Sequence, residues 1–325
     1  MGKLLNIERK LKKFSPCIKL YKLSLVLTIM PKIKDRISFH DQIQKNKIKS
    51  ILLIIIIFAV LIALSYVIGL IYSDYFFIIL IFGIIISISY VLISYYNSDK
   101  IALASVQAKE ASYQDYRQLH HVVEGLCLAS GMPKPKIYVM QQEQINAFAT
   151  GRNPEHSVIC LTEGAIKKLN KQELEGVIGH ELSHVANYDI RFMTLVAVMV
   201  GLIAIISQIF LRSLWFSGGR DRKGKSGAII LLIGIILAIL APIVVMLVQL
   251  AISRKREFAA DASSVKFTRS PTGLILALKK IKNDKPIKVS GALAPLFISN
   301  PMKRVSGLFQ THPDINKRIE ILERM

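Results

Sequence analysis

Acidic residues, cysteine and tryptophan are all scarce in this chain. Only 22 Asp and Glu stand against 43 Lys and Arg, which leaves a formal charge of +21 over 325 residues. Such a balance suits nucleic acid or an anionic membrane surface. The basic residues cluster beside apolar runs, which favours lipid headgroups as the counter-charge, and no groove-reading or base-stacking signature points to nucleic acid. Cys17, Cys127 and Cys160 are the three cysteines. They lie far apart without Cys-x-x-Cys spacing, which argues against a disulfide framework or a thiolate metal site. The apolar piece Leu23–Met30 is short and no small-residue cleavage site follows it, so a removable signal peptide is not expected. Residues 1–50 read instead as a basic leader, either an interfacial amphipathic segment or a disordered one.

What the chain does have is apolar bulk in blocks, with 52% hydrophobic residues and a mean hydropathy of +0.43. Ile51–Tyr72 and Phe76–Tyr96 are each long enough to cross a hydrocarbon core of about 30 Å at about 1.5 Å per residue. Lys47 and Lys49 precede this pair and Lys100 and Lys109 follow it, while Ser73-Asp74-Tyr75 between them carries no positive charge. By the positive-inside bias both ends of the hairpin face the cytoplasm. A third run, Phe192–Phe210, and a fourth, Ala228–Ile252, enclose the link Ser217–Ser226. Its Arg220, Arg222, Lys223 and Lys225 run against the same bias, so the second hairpin either crosses under a topology set by the first or only dips into the bilayer.

The segments between read as soluble. Tyr116–Ser130 has helical apolar spacing ended by Gly131 and Pro133, Ile137–Met140 and Ser157–Leu161 read as short strands, and Thr162 caps a following helix. Gln172–Asn187, Arg254–Phe267, Gly273–Ile281 and Pro313–Arg324 read as further helices, with an irregular piece around Pro286, Pro295 and Pro301. The organisation expected is a leader over 1–50, a membrane hairpin over 51–96, a first catalytic portion over 97–190, a second hairpin over 191–252 and a second catalytic portion over 253–325.

The chemistry centres on His180-Glu181-Leu182-Ser183-His184. On a helix, residues four apart share a face, so His180 and His184 can offer two imidazole nitrogens to one tetrahedral ion, with Glu181 beside it as a base. Only three positions are fixed, and a polar helix turn matches as well. A site of this kind needs a third protein ligand and leaves the fourth position to water. A run that leaves the membrane surface after His184 and one that returns to it bring back Ser253-Arg254-Lys255-Arg256-Glu257 first, which makes Glu257 the candidate. Its alternative is a helix-surface charge paired with Arg254 or Arg256. Asp261 shares the Glu257 face and could accept from the free ring nitrogen of a ligand histidine, or be an ordinary helix carboxylate. Asp189 could do the same or simply end its helix. His312, stiffened by Pro313, could support a tetrahedral oxyanion or be a plain loop histidine. His40, His120, His121 and His156 have no partner at metal spacing.

With His180-Glu181-Leu182-Ser183-His184, then Ser253-Arg254-x-Arg256-Glu257-x-x-Ala260-Asp261-Ala262, then Thr311-His312-Pro313 followed by Arg318-Ile319, the chain resembles the HtpX family of membrane zinc metallopeptidases. The CAAX prenyl endoproteases share its superfamily. The resemblance spans roughly residues 50–325 and includes Asn146-Ala147-Phe148-Ala149-Thr150-Gly151. It implies a mainly α membrane protein with four candidate transmembrane helices and a small α+β, zincin-like (gluzincin) catalytic domain on the cytoplasmic side. One zinc ion per chain would be held by His180, His184 and Glu257, with Glu181 as general base and acid and Asp261 supporting the ligands. Asn146, Ala147 and Phe148 would belong to an edge strand that pairs with substrate, His312 to the oxyanion or fourth position, and Arg318 would support His312. The implied activity is endoproteolysis of membrane or misfolded polypeptides in quality control. A prenyl-protein endoprotease and a non-catalytic zinc scaffold are the rivals. The resemblance offers nothing for residues 1–45.

Overall fold

Two long helices, α1 (Phe39–Ile71) and α2 (Phe76–Ser105), are joined by a single 3-10 turn at Ser73–Tyr75. Their burial inverts the pattern of a soluble helix pair. Ile51 and Ile55 on α1 and Ile81 and Ile86 on α2 are more than half exposed, while Ser50, Gly83, Ser87, Ser94 and Ser98 are buried. A Cβ on Gly83 would collide with the Ser65 side chain, so the two backbones approach closely there. Small residues at the contact and large apolar ones outside is the arrangement of helices that meet each other in lipid. Ser87 turns its hydroxyl inward to the Gly83 carbonyl at 2.6 Å, which removes an orphan donor from an apolar surrounding. Both helices are long and apolar enough to cross a membrane.

This computed structural model describes residues 39–71, 73–199, 254–285, 296–298 and 313–325. The basic leader as far as residue 38, most of the third apolar run and all of the fourth, and His312 lie outside the described residues. The contacts that follow belong to the unit Ile43–Met325.

Beyond a kink at Asn97, the end of α2 packs Ala102 and Leu103 onto a four-stranded sheet. The strands are β1 (Lys109–Glu110), β2 (Lys136–Met140), β3 (Ala147–Gly151) and β4 (Ser157–Thr162), in the order β1-β2-β4-β3. β2 and β4 are parallel, and β3 turns back antiparallel on β4, pairing Phe148 with Cys160. β3 is therefore an edge strand.

One face of the sheet is covered by helices: α3 (Arg117–Ser130), the short α4 (Glu163–Lys168) that Thr162 caps through the Ala165 amide, and α5 (Lys171–Ala186). α5 starts with a capping box, in which the Asn170 side chain accepts from the Glu173 amide and Glu173 accepts from the Asn170 amide. After the turn at residues 187 and 188, helical residues 189–199 (α6) bring Phe192, Leu195, Val196 and Met199 against Leu53 and Ile57 of α1. The chain returns as α7 (Arg254–Thr268), α8 (Thr272–Asn283) and the last helix α9 (Ile315–Leu322). α8 crosses α5 backbone to backbone, because Gly176 and Gly273 face each other's helix: a Cβ on Gly176 would strike the Leu274 amide and one on Gly273 the Gln172 carbonyl. α7 lies against the same helix, and Ser264 donates to the Gly176 carbonyl at 2.7 Å. Those two close approaches fix α5 at the centre of the unit and set α7 beside its His-bearing face.

Candidate metal centre

His180 and His184 stand one turn apart on α5 with both side chains buried. Their Nε2 atoms lie 3.3 Å apart. Glu257, from the first turn of α7, brings one carboxylate oxygen to 3.6 Å from His180 Nε2 and the other to 3.6 Å from His184 Nε2. One donor atom from each residue falls within 4.8 Å of the others. A tetrahedron with metal–ligand arms of about 2.05 Å has edges of about 3.3 Å, so the histidine pair spans one such edge and the carboxylate needs only a small shift to complete a face.

The ring nitrogens turned away from this centre are both occupied. His180 Nδ1 is 2.9 Å from Asp261 Oδ1, and His184 Nδ1 is 3.1 Å from Asp189 Oδ2. A carboxylate at Nδ1 holds the proton on that nitrogen and leaves the Nε2 lone pair for a cation. Asp261 and Asp189 therefore each stand within hydrogen-bond distance of one histidine Nδ1. Arg318 of α9 is wholly buried and grips Asp261 with two nitrogens, Nη2 to Oδ1 at 2.6 Å and Nε to Oδ2 at 2.9 Å, while Nη1 donates to the Ile298 carbonyl at 3.0 Å. The expected neighbour of Arg318, His312, lies outside the described residues; among those described, Arg318 meets Asp261, the Ile298 carbonyl, His180 Nδ1 at 3.3 Å and a Glu257 carboxylate oxygen at 3.6 Å.

Burial raises the Glu181 carboxyl above the ordinary carboxylate range, and Glu257 adds to that, against His180, His184 and the Ala149 amide, which donates to it. Its Oε2 has no hydrogen-bond partner among the described residues, and the side chain is only 1% exposed. A buried carboxylate oxygen without a mate, in the field of the two histidines and Glu257, is suited to a water or a proton, which is what a base beside a metal requires. Asp261 is held below its usual range: burial presses upward, but Arg318 and His180 outweigh it. For His180, burial and Arg318 favour the neutral ring, yet Asp261 and Glu257 prevail and lift it to about 9, where a cation at Nε2 would compete with that proton. The donor set, two imidazoles and one carboxylate, fits zinc.

Asn146, Ala147 and Phe148 are buried at the start of β3. Here the strand's outer edge is taken by the chain itself. The Ile298 amide donates to the Ala147 carbonyl at 2.9 Å, Phe148 bridges antiparallel to Phe297, and their rings meet tilted by 59° at 5.0 Å between centroids. The next residue along the strand, Ala149, donates its amide to Glu181, which sets that carboxylate against the edge of β3. His120 contacts the Ala111 carbonyl, His121 lies beside Glu124 and His156 beside Asn153, all outside the centre. Asn46, on the basic turn of α1, was given no role by the sequence and yet reaches the site through Asp189.

The chain is similar in sequence to known proteins. The model for peptidase family M48 matches residues 113–325. A protease HtpX homolog of Caldanaerobacter subterraneus is 49% identical over 239 residues, 72% of this chain and 80% of its own. Another, from Dictyoglomus thermophilum, is 42% identical over 294 residues, covering 89% and 95%. A third, from Streptococcus gordonii, is 38% identical, covering 88% and 99%. The crystal structure of S. mikatae Ste24p overlaps 86% of this chain and 65% of its own at a TM-score of 0.44 and 20% identity, too loose a likeness to carry a conclusion.

Proposed function

Because the chain belongs to peptidase family M48 and is a membrane-bound metallopeptidase, we propose that His180, His184 and Glu257 hold a single zinc ion and that Glu181 performs the proton transfers of peptide hydrolysis. When bound, the zinc supplies Lewis acidity, polarising the scissile carbonyl and lowering the pKa of a water towards about 7. Glu181 takes the proton of the attacking water and hands it to the leaving amine, a task suited to a buried carboxyl whose proton affinity is raised. Asp261 and Asp189 keep His180 and His184 in the tautomer with Nε2 free. No covalent intermediate is involved, since the nucleophile is water.

The substrate is an extended polypeptide, a membrane or misfolded protein, whose backbone adds to β3 along Ala149–Gly151. Ala147 and Phe148 shape that site from behind, paired to Phe297 and Ile298. His312 stabilises the oxyanion. The active site faces the cytoplasm at the membrane boundary, where Lys45, Lys47 and Lys49 meet anionic headgroups, and residues 192–252 supply the second membrane hairpin of four spans. Quality control of membrane proteins is the role that these features fit.

The observation that carries this reading is the convergence of three ligand atoms within 4.8 Å of one another, two from the helix that also bears Glu181 and one from α7. Purified full chain in detergent should cleave an unfolded model protein, lose that activity to a chelator and regain it with zinc. Glu181→Gln should retain about one zinc per chain and cleave nothing. Cleavage surviving in Glu181→Gln, or after chelation, would sink the assignment.

A further inference from the structure

The polar contacts that begin at His184 do not end at Asp189. Asp189 Oδ2 meets His184 Nδ1, and its other oxygen, Oδ1, accepts from Asn46 Nδ2 at 2.6 Å. The second N–H of the same amide donates to the Asn187 carbonyl at 3.0 Å. Asn46 comes from the start of α1, 143 residues away in sequence, and is 3% exposed. A buried amide is unfavourable unless its donors are used, and both are used on one turn of chain.

That turn is the one between α5 and α6. Tyr188 within it has φ of 58°, a left-handed conformation that a tyrosine rarely adopts, and the adjacent Lys47 of α1 sets its ammonium 4.5 Å from the Tyr188 ring centroid. Two successive residues of α1 thus grip three successive residues shortly after His184. Besides Asn46 and His184, Asp189 has Arg256 Nη1 near it, at 3.7 Å, outside hydrogen-bond range.

We infer that Asn46 is a positioning residue of the metal centre: by anchoring Asp189 it fixes the ring of His184, so that the first membrane helix forms part of the zinc site. The inference rests on the proposed metal site. It gives the two histidines matching supports drawn from opposite ends of the chain, Asp261 and Arg318 behind His180, Asp189 and Asn46 behind His184.

The test uses full-length chain in detergent and three variants, Asn46→Ala, Asn46→Asp and the exchange Asn46→Asp/Asp189→Asn. Zinc affinity is read by chelator competition, and ligand geometry from the visible spectrum of the cobalt-substituted protein. Partners that orient metal ligands typically contribute about 10- to 100-fold in affinity; Asn46 acts one bond further out, so Asn46→Ala should weaken zinc by roughly 3- to 10-fold and shift the cobalt bands. Asn46→Asp should weaken it further, because two carboxylates then face each other. In the exchange, the amide placed at position 189 donates to the carboxylate placed at position 46 and still accepts from His184, so affinity and spectrum should return to within about threefold of the parent. Asn46→Asp and the exchange both lose the bond to the Asn187 carbonyl, so a purely structural tie would leave them equal. Equal zinc affinity in those two proteins, or unchanged affinity and spectrum in Asn46→Ala, overturns the inference. If Asn46→Ala does not fold, the comparison of the other two decides. A parent chain that binds no zinc ends the metal reading and this inference with it; a zinc-binding parent with indifferent Asn46 variants ends the inference alone.

Discussion

Arg318 and Asp261 form a two-pronged ion pair, 2.6 and 2.9 Å, with both side chains buried away from solvent. A planar guanidinium matches a carboxylate in this way and an ammonium cannot. Removing one partner of a buried pair leaves the other charge uncompensated, at about 3–5 kcal/mol. Arg318→Ala should therefore unfold at markedly lower temperature and hold zinc poorly, because Asp261 also carries His180. Arg318→Lys should restore little of either. Thermal unfolding and bound zinc, measured together, check this; a Lys variant equal to the parent would refute the bidentate role.

The crossing of α5 and α8 makes a sharper steric demand. Gly176 has the Leu274 amide where its Cβ would stand, and that obstacle is backbone, which cannot rotate aside. Overpacking of this kind costs about 1–3 kcal/mol or more. Gly176→Ala should lower the unfolding temperature although alanine is the better helix former, and Gly125→Ala, with open space at its Cβ, should not. An unaffected Gly176→Ala would mean that the two helices can part.

What is legible in the sequence depends on how local the signal is. His180, Glu181 and His184 declare themselves because one helical turn suffices to align them, and Glu257 is a candidate because the two later apolar runs, read as a hairpin, bring the chain back to the side from which it left. The helices of the soluble portions follow from apolar spacing, with ends displaced by a residue or two from the caps that set them. By contrast, Asn46 lies in a stretch that reads as the basic flank of an anchor, and its partner Asp189 is reached only through tertiary packing. The Arg318 bond to Asp261 is of the same kind. In an unbroken apolar run, nothing in the residue order reveals that Ser87, Ser94 and Ser98 face inward and the isoleucines outward. Leu296-Phe297-Ile298, read as irregular, pairs with β3 through one amide and one ring contact, too short a strand for alternation to mark.

Asp284 ties the end of α8 to the loop before β3: its Oδ2 accepts from the Ile145 amide at 2.7 Å, and Lys168 Nζ lies 3.0 Å away. Burial presses its carboxyl up, but the bonds from Lys168 and the Ile145 amide outweigh this and hold it below the ordinary value of 3.8. A carboxylate with a depressed pKa stabilises the fold fully above its unfolded value, and that contribution disappears as pH falls through the folded one. Stability from this group should be flat from neutral pH to about 4 and decline below. Asp284→Asn should cost about 2 kcal/mol at pH 7 and flatten that acid decline. Denaturant midpoints of the two proteins between about pH 3 and 7 test the sign; a difference that grows on acidification would contradict it.

Glu257 and Glu181 are both buried carboxylates in one centre, and the proposed roles separate them by metal content. Glu257 meets both Nε2 atoms at 3.6 Å and supplies the only negative charge of the ligand set, whereas Glu181 lies beside it with Oε2 unbonded among the described residues. Glu257→Ala removes one ligand of three and leaves two imidazoles, which hold zinc far more weakly. After dialysis that variant should retain little zinc. Glu257→Gln keeps an oxygen donor without the charge and should fall between Ala and the parent. Zinc content per chain by elemental analysis, measured on Glu257→Ala and Glu181→Gln side by side, gives the contrast: low in the first, near parent in the second. Equal zinc in the two would remove Glu257 from the ligand set while leaving the case for Glu181 intact.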